Sequence, residues 1–530
     1  MSYKVLITTS GTGSRLGELT KHTNKALVRV GKKPVISYIV ESYPVEAEFV
    51  VTLGYKGEQV KDFLELAYPE RKFTFIEIDK YEGPGTSLGY SMLQAKHALE
   101  GPFIFHACDT IIEGFEAPAP DYNWAAGASV DDFKQYTSFR LGNDQKILGF
   151  KSKGLGGLED LGHIGLVGIH DYERFWSILE DLYKRDANNS SLNDVAVLSQ
   201  MIEGGISITG IKVNTWLDIG NLDALAVARE KISDKFDNLD KVDESLFFFN
   251  GFAIKFFSDS EKVRNRVCRG EILGDLVPRT LEVRTNFYKY EYVKGERYSD
   301  IVTSEDLEYL ISWAQDKLWI PSNEVTSVQF KKICRDFYEQ KTKERIQKFL
   351  GKSGLKDEQT KINGIDIPTL GELLSEIDFD WLSDGLQTGF HGDFILENIL
   401  KTNDGYVLLD WRQDFGGLLR GGDIYYDLAK FYHNLVVNHD VISENKFSID
   451  IDSGSVIKLY IKRKSHLEEV EKTFHQIIQK KGFDIRKIEI IRALIWINMA
   501  PLHHCPFDIF LFYFGKYNLW QTLRNQRVLL

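Results

Sequence analysis

The first hundred residues alternate short apolar runs with stretches of helical periodicity, and this alternation constrains the fold more than any other feature. Strands are predicted for four runs rich in β-branched and aromatic residues: Lys4 to Thr8, Phe49 to Leu53, Lys72 to Ile78 and Phe103 to Cys108. Helices are predicted between them: Val35 to Glu41, Lys56 to Leu66 and Thr86 to Leu99. Strands that alternate with helices are typical of an α/β fold with a mixed, mostly parallel sheet.

The length and one charged stretch predict how the chain divides. A chain of 530 residues exceeds what one hydrophobic core usually holds, so we expect at least two domains. The solvated stretch 236–242 predicts a linker between a domain at 1–235 and a domain at 243–530. In the second domain a small sheet lobe, about 243–295, precedes a mostly helical lobe, about 296–530.

The composition disfavours nucleic acid, membranes and zinc as partners. With 77 acidic and 65 basic residues the formal charge is -12, which disfavours nonspecific binding to nucleic acid or to an anionic membrane. The four cysteines show no CxxC pair, so neither a disulfide framework nor a zinc site is indicated. Since no run of about 18 apolar residues occurs, we expect a cytoplasmic protein with small-molecule partners and no membrane insertion. Self-association is left open.

A glycine turn follows the first predicted strand. Gly11 and Gly13 allow the backbone to approach a phosphate closely, and Arg15 and Lys25 add positive charge beside the turn. A dinucleotide-binding fingerprint also begins with such a turn, but Leu16 occupies the place of its third glycine, and no acidic residue closes a second strand about 20 residues on. The turn therefore predicts a phosphate site of another kind.

The turn is part of a longer pattern. Its members are Gly11 to Leu16, Thr20, Lys25 to Leu27, Gly83 to Gly89, Asp109 and Trp216 to Asn221. This pattern resembles the nucleotidyltransferases that activate sugar phosphates and phosphocholine, over roughly residues 1–230. The resemblance implies a Rossmann-like domain in which a substrate phosphate attacks the α-phosphorus of a nucleoside triphosphate and pyrophosphate leaves.

The resemblance also implies residue roles. Arg15 would hold the leaving pyrophosphate, and Lys25 would bridge the α-phosphate and the acceptor phosphate. Asp109 and Asp218 would hold Mg²⁺. The nucleotide and substrate cleft would be lined by Gly11, Gly13, Gly85, Thr86 and Gly89. Because Thr8, Thr9 and Ser10 replace the small apolar pair usual before the first glycine, the nucleotide stays open among CTP, UTP, GTP and dTTP. A second departure is Asn24, which replaces a frequent proline before Lys25.

A second chemical pattern lies near residue 400. Asp393 follows His391 and Gly392, and Asn398 comes five residues later. The carboxylate can accept a hydrogen bond from an attacking hydroxyl, while the amide oxygen of Asn398 binds Mg²⁺. Asp410, at the end of the next predicted strand, supplies a charged metal ligand. The spacing therefore predicts a phosphotransferase that acts on a hydroxyl group.

This pattern resembles the aminoglycoside phosphotransferase and choline kinase family, which has a protein-kinase-like, two-lobed α+β fold. The resemblance implies ATP as donor, with Asp427 before Leu428 and Ala429 as a structural acidic residue. Upstream, Lys255 would neutralise the ATP phosphates with Glu271 as its ion-pair partner. The backbone around Glu291 and Val293 would be the hinge that meets adenine.

One feature of this half departs from the family pattern, and the roles of two other features are undecided from the sequence. No clear glycine-rich loop precedes Lys255. Arg492 to His504 covers the place where the family builds its acceptor pocket, although a structural role is the default for its histidines. Asp414 fits an acceptor or metal contact as well as it fits a turn.

The two patterns together predict one bifunctional enzyme, because the product of a kinase is the substrate of a phosphate nucleotidyltransferase. The product would be an NDP-activated precursor for surface glycan or capsule synthesis, and the Trp216 to Asn221 segment favours an NDP-sugar. One alternative is a choline or amino-alcohol kinase joined to a CTP-dependent cytidylyltransferase. Another is a non-catalytic regulator that binds nucleotides.

Overall fold

In the computed structural model, which describes residues 3–232, 242–452 and 456–524, the first predicted strand lies inside a nine-stranded sheet. This strand, β1 (Lys4–Thr8), pairs in parallel with a strand on each side. Val5 and Ile7 belong to the apolar core on one face of the sheet, and Leu6 belongs to the core on the other face. A strand buried on both faces explains why its sequence is apolar without alternation.

The elements of the N-terminal part follow the predicted rhythm. Its further strands are β2 (Arg29–Val30), β3 (Lys33–Pro34), β4 (Glu48–Leu53), β5 (Lys72–Glu77), β6 (Phe103–Ala107), β7 (Thr110–Glu113), β8 (Trp124–Ala128), β9 (Ser138–Leu141), β10 (Ile147–Lys151), β11 (Asp160–Ile169), β12 (Thr209–Val213), β13 (Thr215–Asp218), β14 (Glu244–Phe249) and β15 (Phe252–Phe257). Its helices are α1 (Val35–Glu41), α2 (Gly57–Ala67), α3 (Leu88–Gln94), α4 (Tyr172–Arg185), α5 (Asp194–Glu203) and α6 (Leu222–Lys231).

The large sheet is mixed. Its path is β10-β9-β11-β6-β1-β4-β5, and β8 pairs with both β11 and β12. Strands β6, β1, β4 and β5 run parallel, whereas β11 is antiparallel to β6, β8 and β9. The prediction of a mixed α/β fold in this half is confirmed. A separate two-stranded ladder joins β7 to β13 and brings two distant segments together.

The C-terminal part mixes helices with short strands. Its helices are α7 (Ser260–Leu273), α8 (Tyr298–Ile301), α9 (Ser304–Lys317), α10 (Ser327–Arg335), α11 (Lys341–Ser353), α12 (Leu370–Ser375), α13 (Phe379–Leu382), α14 (Ile424–Val436), α15 (His439–Ser443), α16 (Ser465–Lys480), α17 (Ile485–Met499) and α18 (Phe507–Leu523). Its strands are β16 (Thr280–Val283), β17 (Phe287–Glu291), β18 (Glu296–Arg297), β19 (Thr360–Ile362), β20 (Ile365–Ile367), β21 (Gln387–Thr388), β22 (Ile399–Thr402), β23 (Gly405–Leu408), β24 (Gly422–Asp423), β25 (Phe447–Asp452) and β26 (Val456–Ile461).

The chain divides into two compact units. The N-terminal unit is Met1–Ser260 with Glu282–Lys289, and the C-terminal unit is Glu261–Leu281 with Tyr290–Leu530. The linker predicted at 236–242 lies, except for Val242, outside the described residues. The domain boundary there therefore stays a prediction.

The prediction of a mostly helical lobe at about 296–530 missed a sheet. Strands β20, β19, β26 and β25 form a four-stranded sheet in that order. Strands β19 and β20 are three residues long, too short for a period-2 pattern to stand out from the sequence. Strands β25 and β26 are six residues long, and β26 alternates exposed and buried residues, a signal that the prediction overlooked. Within the described part of the chain, no helix combines the length and the apolarity needed to cross a membrane.

Candidate active sites

The glycine turn after β1 has a backbone that needs glycine. Gly13 has φ 67°, and a Cβ added there would lie 2.8 Å from the Cβ of Lys25. The short 3₁₀ segment Ser14–Thr20 follows, and the Thr20 hydroxyl donates to the carbonyl oxygens of Gly13 and Gly17 at 3.1 and 3.2 Å. The turn is thus fixed against the segment that carries Lys25. At Gly11, by contrast, an added Cβ would meet no protein atom within 4 Å.

Asn24, which stands where the resemblance expects a proline, orients Lys25. Its side chain is fully buried, and its Nδ2 donates to the carbonyl oxygens of Thr9 at 2.9 Å and Tyr55 at 2.6 Å. Its Oδ1 accepts from the amide of Ala26 at 2.9 Å. The amide side chain therefore ties three backbone segments together, which a proline could not do.

Lys25 and Asp109 form an ion pair in the N-terminal unit. Lys25 Nζ lies 3.1 Å from Asp109 Oδ2, and both side chains are about four-fifths buried. Burial opposes the charge on each group, but the attraction between them prevails and raises the pKa of Lys25 while it lowers the pKa of Asp109. Lys25 is therefore a permanent cation at neutral pH and does not act as a base.

Asp218 reaches the same place through the β7–β13 ladder. It pairs in register with Thr110, the residue after Asp109, and the Ile219 amide donates to the Asp109 carbonyl oxygen at 2.9 Å. Its own carboxylate accepts from the Gly220 amide and the Tyr136 hydroxyl, each at 2.8 Å. Burial nevertheless raises the pKa of Asp218, and the charge of Asp109 adds to this rise.

The Arg15 guanidinium lies beside the two acidic residues. A Cβ added at Gly220 would come within 3.4 Å of Arg15 Nη2, so the absence of a side chain there leaves room for the guanidinium. The Arg15 charge contributes to the lowered pKa of Asp109. The structure thus brings together four predicted site residues from four separate segments: Arg15, Lys25, Asp109 and Asp218.

The donor set fits a magnesium ion. Mg²⁺ is usually held by one or two carboxylates, with the substrate phosphates and waters completing its octahedron. Asp109 and Asp218 provide this pair, and the repulsion that helps to raise the pKa of Asp218 is what a cation between them would relieve. No group of three or more His, Cys, Asp or Glu side chains suited to a metal occurs in the described ranges.

Gly85 and Thr86 lie on the loop before α3. Gly85 has φ 86°, and the Thr86 hydroxyl donates to the Gly83 carbonyl oxygen at 2.8 Å. Ser87 caps α3 by accepting from the Tyr90 amide at 3.0 Å. These contacts explain the shape of the loop, and its nucleotide contact remains a prediction.

In the C-terminal unit, Asp393 is paired with a lysine that the sequence analysis missed. Lys430 Nζ, on α14, lies 2.7 Å from Asp393 Oδ1. Burial would raise the pKa of Asp393, but Lys430 outweighs it and lowers that pKa to about 2. Asn398 Nδ2 donates to the Asp393 carbonyl oxygen at 3.0 Å. Asp393 and Asn398 are therefore part of one braced loop, and Asp393 is ionised.

Asp427 holds the loop of His391 to Asp393 in place, a structural role that the resemblance implied. Its carboxylate is fully buried and accepts from the amides of His391 at 2.7 Å and Gly392 at 2.6 Å, and from Trp319 Nε1 at 3.1 Å. Burial lowers the pKa of His391 to about 4, so its ring is neutral at physiological pH. These contacts give His391 and Asp427 positioning roles in the loop.

Asp410 lies next to the same loop. It has φ 53°, which is strained for a residue other than glycine, and the preceding Leu409 amide donates to the Asn398 carbonyl oxygen at 2.7 Å. Its Oδ1 accepts from Arg266 Nη1 at 2.8 Å. Asn398 and Asp410, the two metal ligands predicted for this unit, therefore lie on segments that are joined by a backbone hydrogen bond.

The remaining predicted nucleotide residues are spread over both units. Lys255, on β15, is buried 3.8 Å from Glu244 across the β14–β15 hairpin. Glu271 is exposed near the end of α7 in the other unit, so its pairing with Lys255 stays a prediction. Glu291 ends β17 and its amide donates to the Arg279 carbonyl oxygen at 3.0 Å, with Val293 just beyond the strand.

Comparison with known proteins bears on the N-terminal region. No family model matches the chain. The "Bifunctional protein GlmU" of Methanococcus vannielii is 28% identical over 228 residues, which are 41% of this chain and 51% of that protein. The "Probable glucose-1-phosphate cytidylyltransferase" of Bacillus subtilis is 31% identical over 121 residues, 22% of this chain and 45% of that protein. The chain spans about half the length of these curated relatives.

Among solved structures, the CTP:phosphocholine cytidylyltransferase from Streptococcus pneumoniae aligns with 44% of this chain and 100% of its own, at 20% identity and a TM-score of 0.38. The N-terminal region of the chain is thus similar in sequence to nucleotidyltransferases.

Proposed function

We propose that the N-terminal unit transfers a nucleotidyl group from a nucleoside triphosphate to a phosphorylated small molecule. The observation that carries this proposal is the convergence of Arg15 and Lys25 on the carboxylates of Asp109 and Asp218. Two fixed cations beside an acidic pair suit a reaction in which several phosphates meet. Sequence similarity to nucleotidyltransferases supports the same reaction.

In this reaction an oxygen of the acceptor phosphate forms a bond to the α-phosphorus, and the bond from that phosphorus to the bridging oxygen breaks to release pyrophosphate. Lys25, charged at neutral pH, would neutralise the two phosphates as they approach. Arg15 would neutralise the leaving pyrophosphate. Mg²⁺ held by Asp109 and Asp218 would supply further positive charge to the phosphate oxygens.

We further propose that the C-terminal unit phosphorylates a hydroxyl group with ATP. The ionised Asp393, braced by Asn398 and set beside the segment of Asp410, supports this assignment. The acceptor oxygen would bond to the γ-phosphorus, the bond to the bridging oxygen would break, and ADP would leave. Asp393 would accept the hydrogen bond of the attacking hydroxyl, and Asn398 and Asp410 would hold Mg²⁺.

The two reactions form a natural sequence, because the phosphate made in the second unit is what the first unit would load with a nucleotide. The expected product is an NDP-activated precursor for surface glycan or capsule synthesis, with an NDP-sugar favoured. CDP-choline chemistry is the second candidate, since the "Choline-phosphate cytidylyltransferase" of Streptococcus pneumoniae is 32% identical to this chain over 106 residues.

The test is to supply the full chain with Mg²⁺, ATP and a panel of hydroxyl compounds, and to measure ADP. In parallel, pyrophosphate is measured with each of CTP, UTP, GTP and dTTP and the phosphorylated forms of the panel. We expect both products. If neither ADP nor pyrophosphate forms, the chain is a non-catalytic nucleotide-binding regulator and the proposal is wrong.

A further inference from the structure

A cavity of about 130 Å³ lies in the C-terminal unit beside the Asp393 loop. Part of its wall is Lys430, the residue paired with Asp393 at 2.7 Å. Another part comes from α17, within the segment predicted to build an acceptor pocket, through residues such as Leu494 and Met499. A molecule bound here would therefore lie next to the carboxylate proposed to accept the hydrogen bond of the attacking hydroxyl.

The charged residues of the cavity wall are all cations. They are Lys341, Arg345, Arg412 and Lys430. Lys430 has a carboxylate partner in Asp393, but within the described residues Lys341, Arg345 and Arg412 have no carboxylate within 4 Å. Three cations without an ion pair around one small cavity are unusual, because like charges held close together repel each other.

The repulsion among these cations affects the pKa of Lys341. Burial, and after it the charges of Arg412, Arg345 and Lys430, lower the pKa of Lys341 well below its ordinary value. Burial and Arg412 lower the pKa of Arg345 as well. A bound anion would remove this repulsion, and groups kept in an unfavourable charge state commonly mark a ligand site.

Two of the three aromatic rings that line the cavity, Phe337 and Tyr426, already lie against cations of the protein. Lys341 Nζ lies 3.8 Å from the centre of the Phe337 ring, and Arg412 lies 5.1 Å from the same ring and 6.0 Å from that of Tyr426. A quaternary ammonium ligand needs open aromatic faces and no nearby positive charge. The wall of this cavity carries four cations, and two of its three aromatic rings already lie against them, which disfavours choline as its ligand.

We propose that this cavity is the acceptor site of the kinase reaction and that its acceptor is anionic, carrying a carboxylate or phosphate group besides the hydroxyl. The proposal rests on the kinase function proposed above. The cations hold the anionic group, and the hydroxyl faces Asp393. The γ-phosphoryl group passes from ATP to that hydroxyl oxygen, ADP leaves, and the hydroxyl proton is released by way of Asp393.

The first measurement compares acceptors that share a three-carbon skeleton. ADP formation by the full chain is measured with glycerate, glycerol 3-phosphate and glycerol, and with choline as the cationic case. We expect kcat/KM to be at least roughly tenfold higher for one of the two anions than for glycerol or choline. Comparing the two anions shows whether the site requires a carboxylate, as in glycerate, or a phosphate, as in glycerol 3-phosphate. If glycerol or choline is the best acceptor, the inference is wrong although the kinase function stands.

The second measurement uses variants. Arg345→Met and Lys341→Met should each raise KM for the anionic acceptor by roughly 10- to 100-fold, with a smaller effect on kcat. Lys348→Met, on an exposed position of the same helix, is the matched control and should change neither. Since removing Lys341 relieves repulsion, its variant should melt no lower than the wild type. Unchanged KM values in both variants would contradict the proposal.

A binding assay separates this inference from the kinase function. Glycerol 3-phosphate and glycerate are added without nucleotide, and the melting temperature is followed. We expect a rise in the wild type and in Lys348→Met that is lost in Arg345→Met. If this pattern holds but no acceptor yields ADP, the anion site stands and the kinase function fails. If no rise depends on Arg345, the anion site fails.

Discussion

Each unit contains a partly buried lysine–aspartate pair, and the two pairs differ in what surrounds them. Lys25 and Asp109 are 3.1 Å apart, with a second carboxylate, Asp218, beside them. Lys430 and Asp393 are 2.7 Å apart, next to a cavity with further cations. In both pairs the attraction lowers the pKa of the aspartate, so the pairs themselves are alike.

The neighbours of each pair, more than the pair itself, indicate which charge a ligand at that site should carry. At the first pair, burial and then the charge of Asp109 raise the pKa of Asp218, so the two carboxylates suit a bound cation. Near Lys430 three further cations line the cavity and, after burial, they help to lower the pKa of Lys341, so the cavity suits an anion. The predictions below test whether the two pairs serve separate reactions.

The largest expected effect is that of Asp393→Asn. It removes the carboxylate that accepts the hydrogen bond of the attacking hydroxyl, and ADP formation should fall by roughly 10²- to 10⁴-fold. Pyrophosphate release from a supplied phosphorylated substrate should stay at the wild-type rate. A parallel loss of both products would show that the two pairs do not serve separate reactions.

The reciprocal change is Lys25→Met. Loss of the cation between the reacting phosphates should slow pyrophosphate release by about 10²- to 10³-fold, with ADP formation unchanged. The control is Lys21→Met, an exposed lysine in the same segment whose side chain is 59% accessible. Equal losses in the two lysine variants would mean that general surface charge, and not the buried pair, matters.

The sequence was sufficient for one part of these sites. Asp109 and Asp218 could be proposed because each follows or ends an apolar run and belongs to a recognisable motif. Tyr136 could not, since it lies in a loop between β8 and β9 and meets Asp218 only through the tertiary fold. Lys341 and Arg345 offered a signal, because residues four apart share one face of a helix. Their convergence with Arg412 and Lys430 required the fold.

A smaller effect is expected for Asp218→Asn. Losing one carboxylate should raise the Mg²⁺ concentration for half-maximal pyrophosphate release by roughly 10- to 100-fold. Because the pKa of Asp218 is raised, protons compete with Mg²⁺ in the wild type at a higher pH than for an ordinary aspartate. The Mg²⁺ requirement should therefore increase as the pH falls, and the variant should lose this dependence. If the Mg²⁺ requirement of Asp218→Asn depends on pH as that of the wild type does, Asp218 is not a metal ligand.

The smallest effect is expected for Tyr136→Phe. The Tyr136 hydroxyl donates to Asp218 Oδ2 at 2.8 Å and thereby lowers the pKa of that carboxylate. Without this donor the pKa of Asp218 rises further, so the pH below which more Mg²⁺ is needed should move upward. At fixed neutral pH we expect a change of only about two- to tenfold. A downward shift in that pH would contradict the account.

The most direct test of the two-step proposal follows the γ-phosphate of ATP. The full chain is given ATP labelled in its γ-phosphate, an acceptor, Mg²⁺ and the four unlabelled candidate triphosphates, and the products are separated. We expect the label in a nucleoside diphosphate-linked product, in the phosphate that joins the acceptor. Asp393→Asn should give no labelled product. If a nucleotide-linked product forms without the label, the two units do not act in sequence and the two-step proposal is wrong.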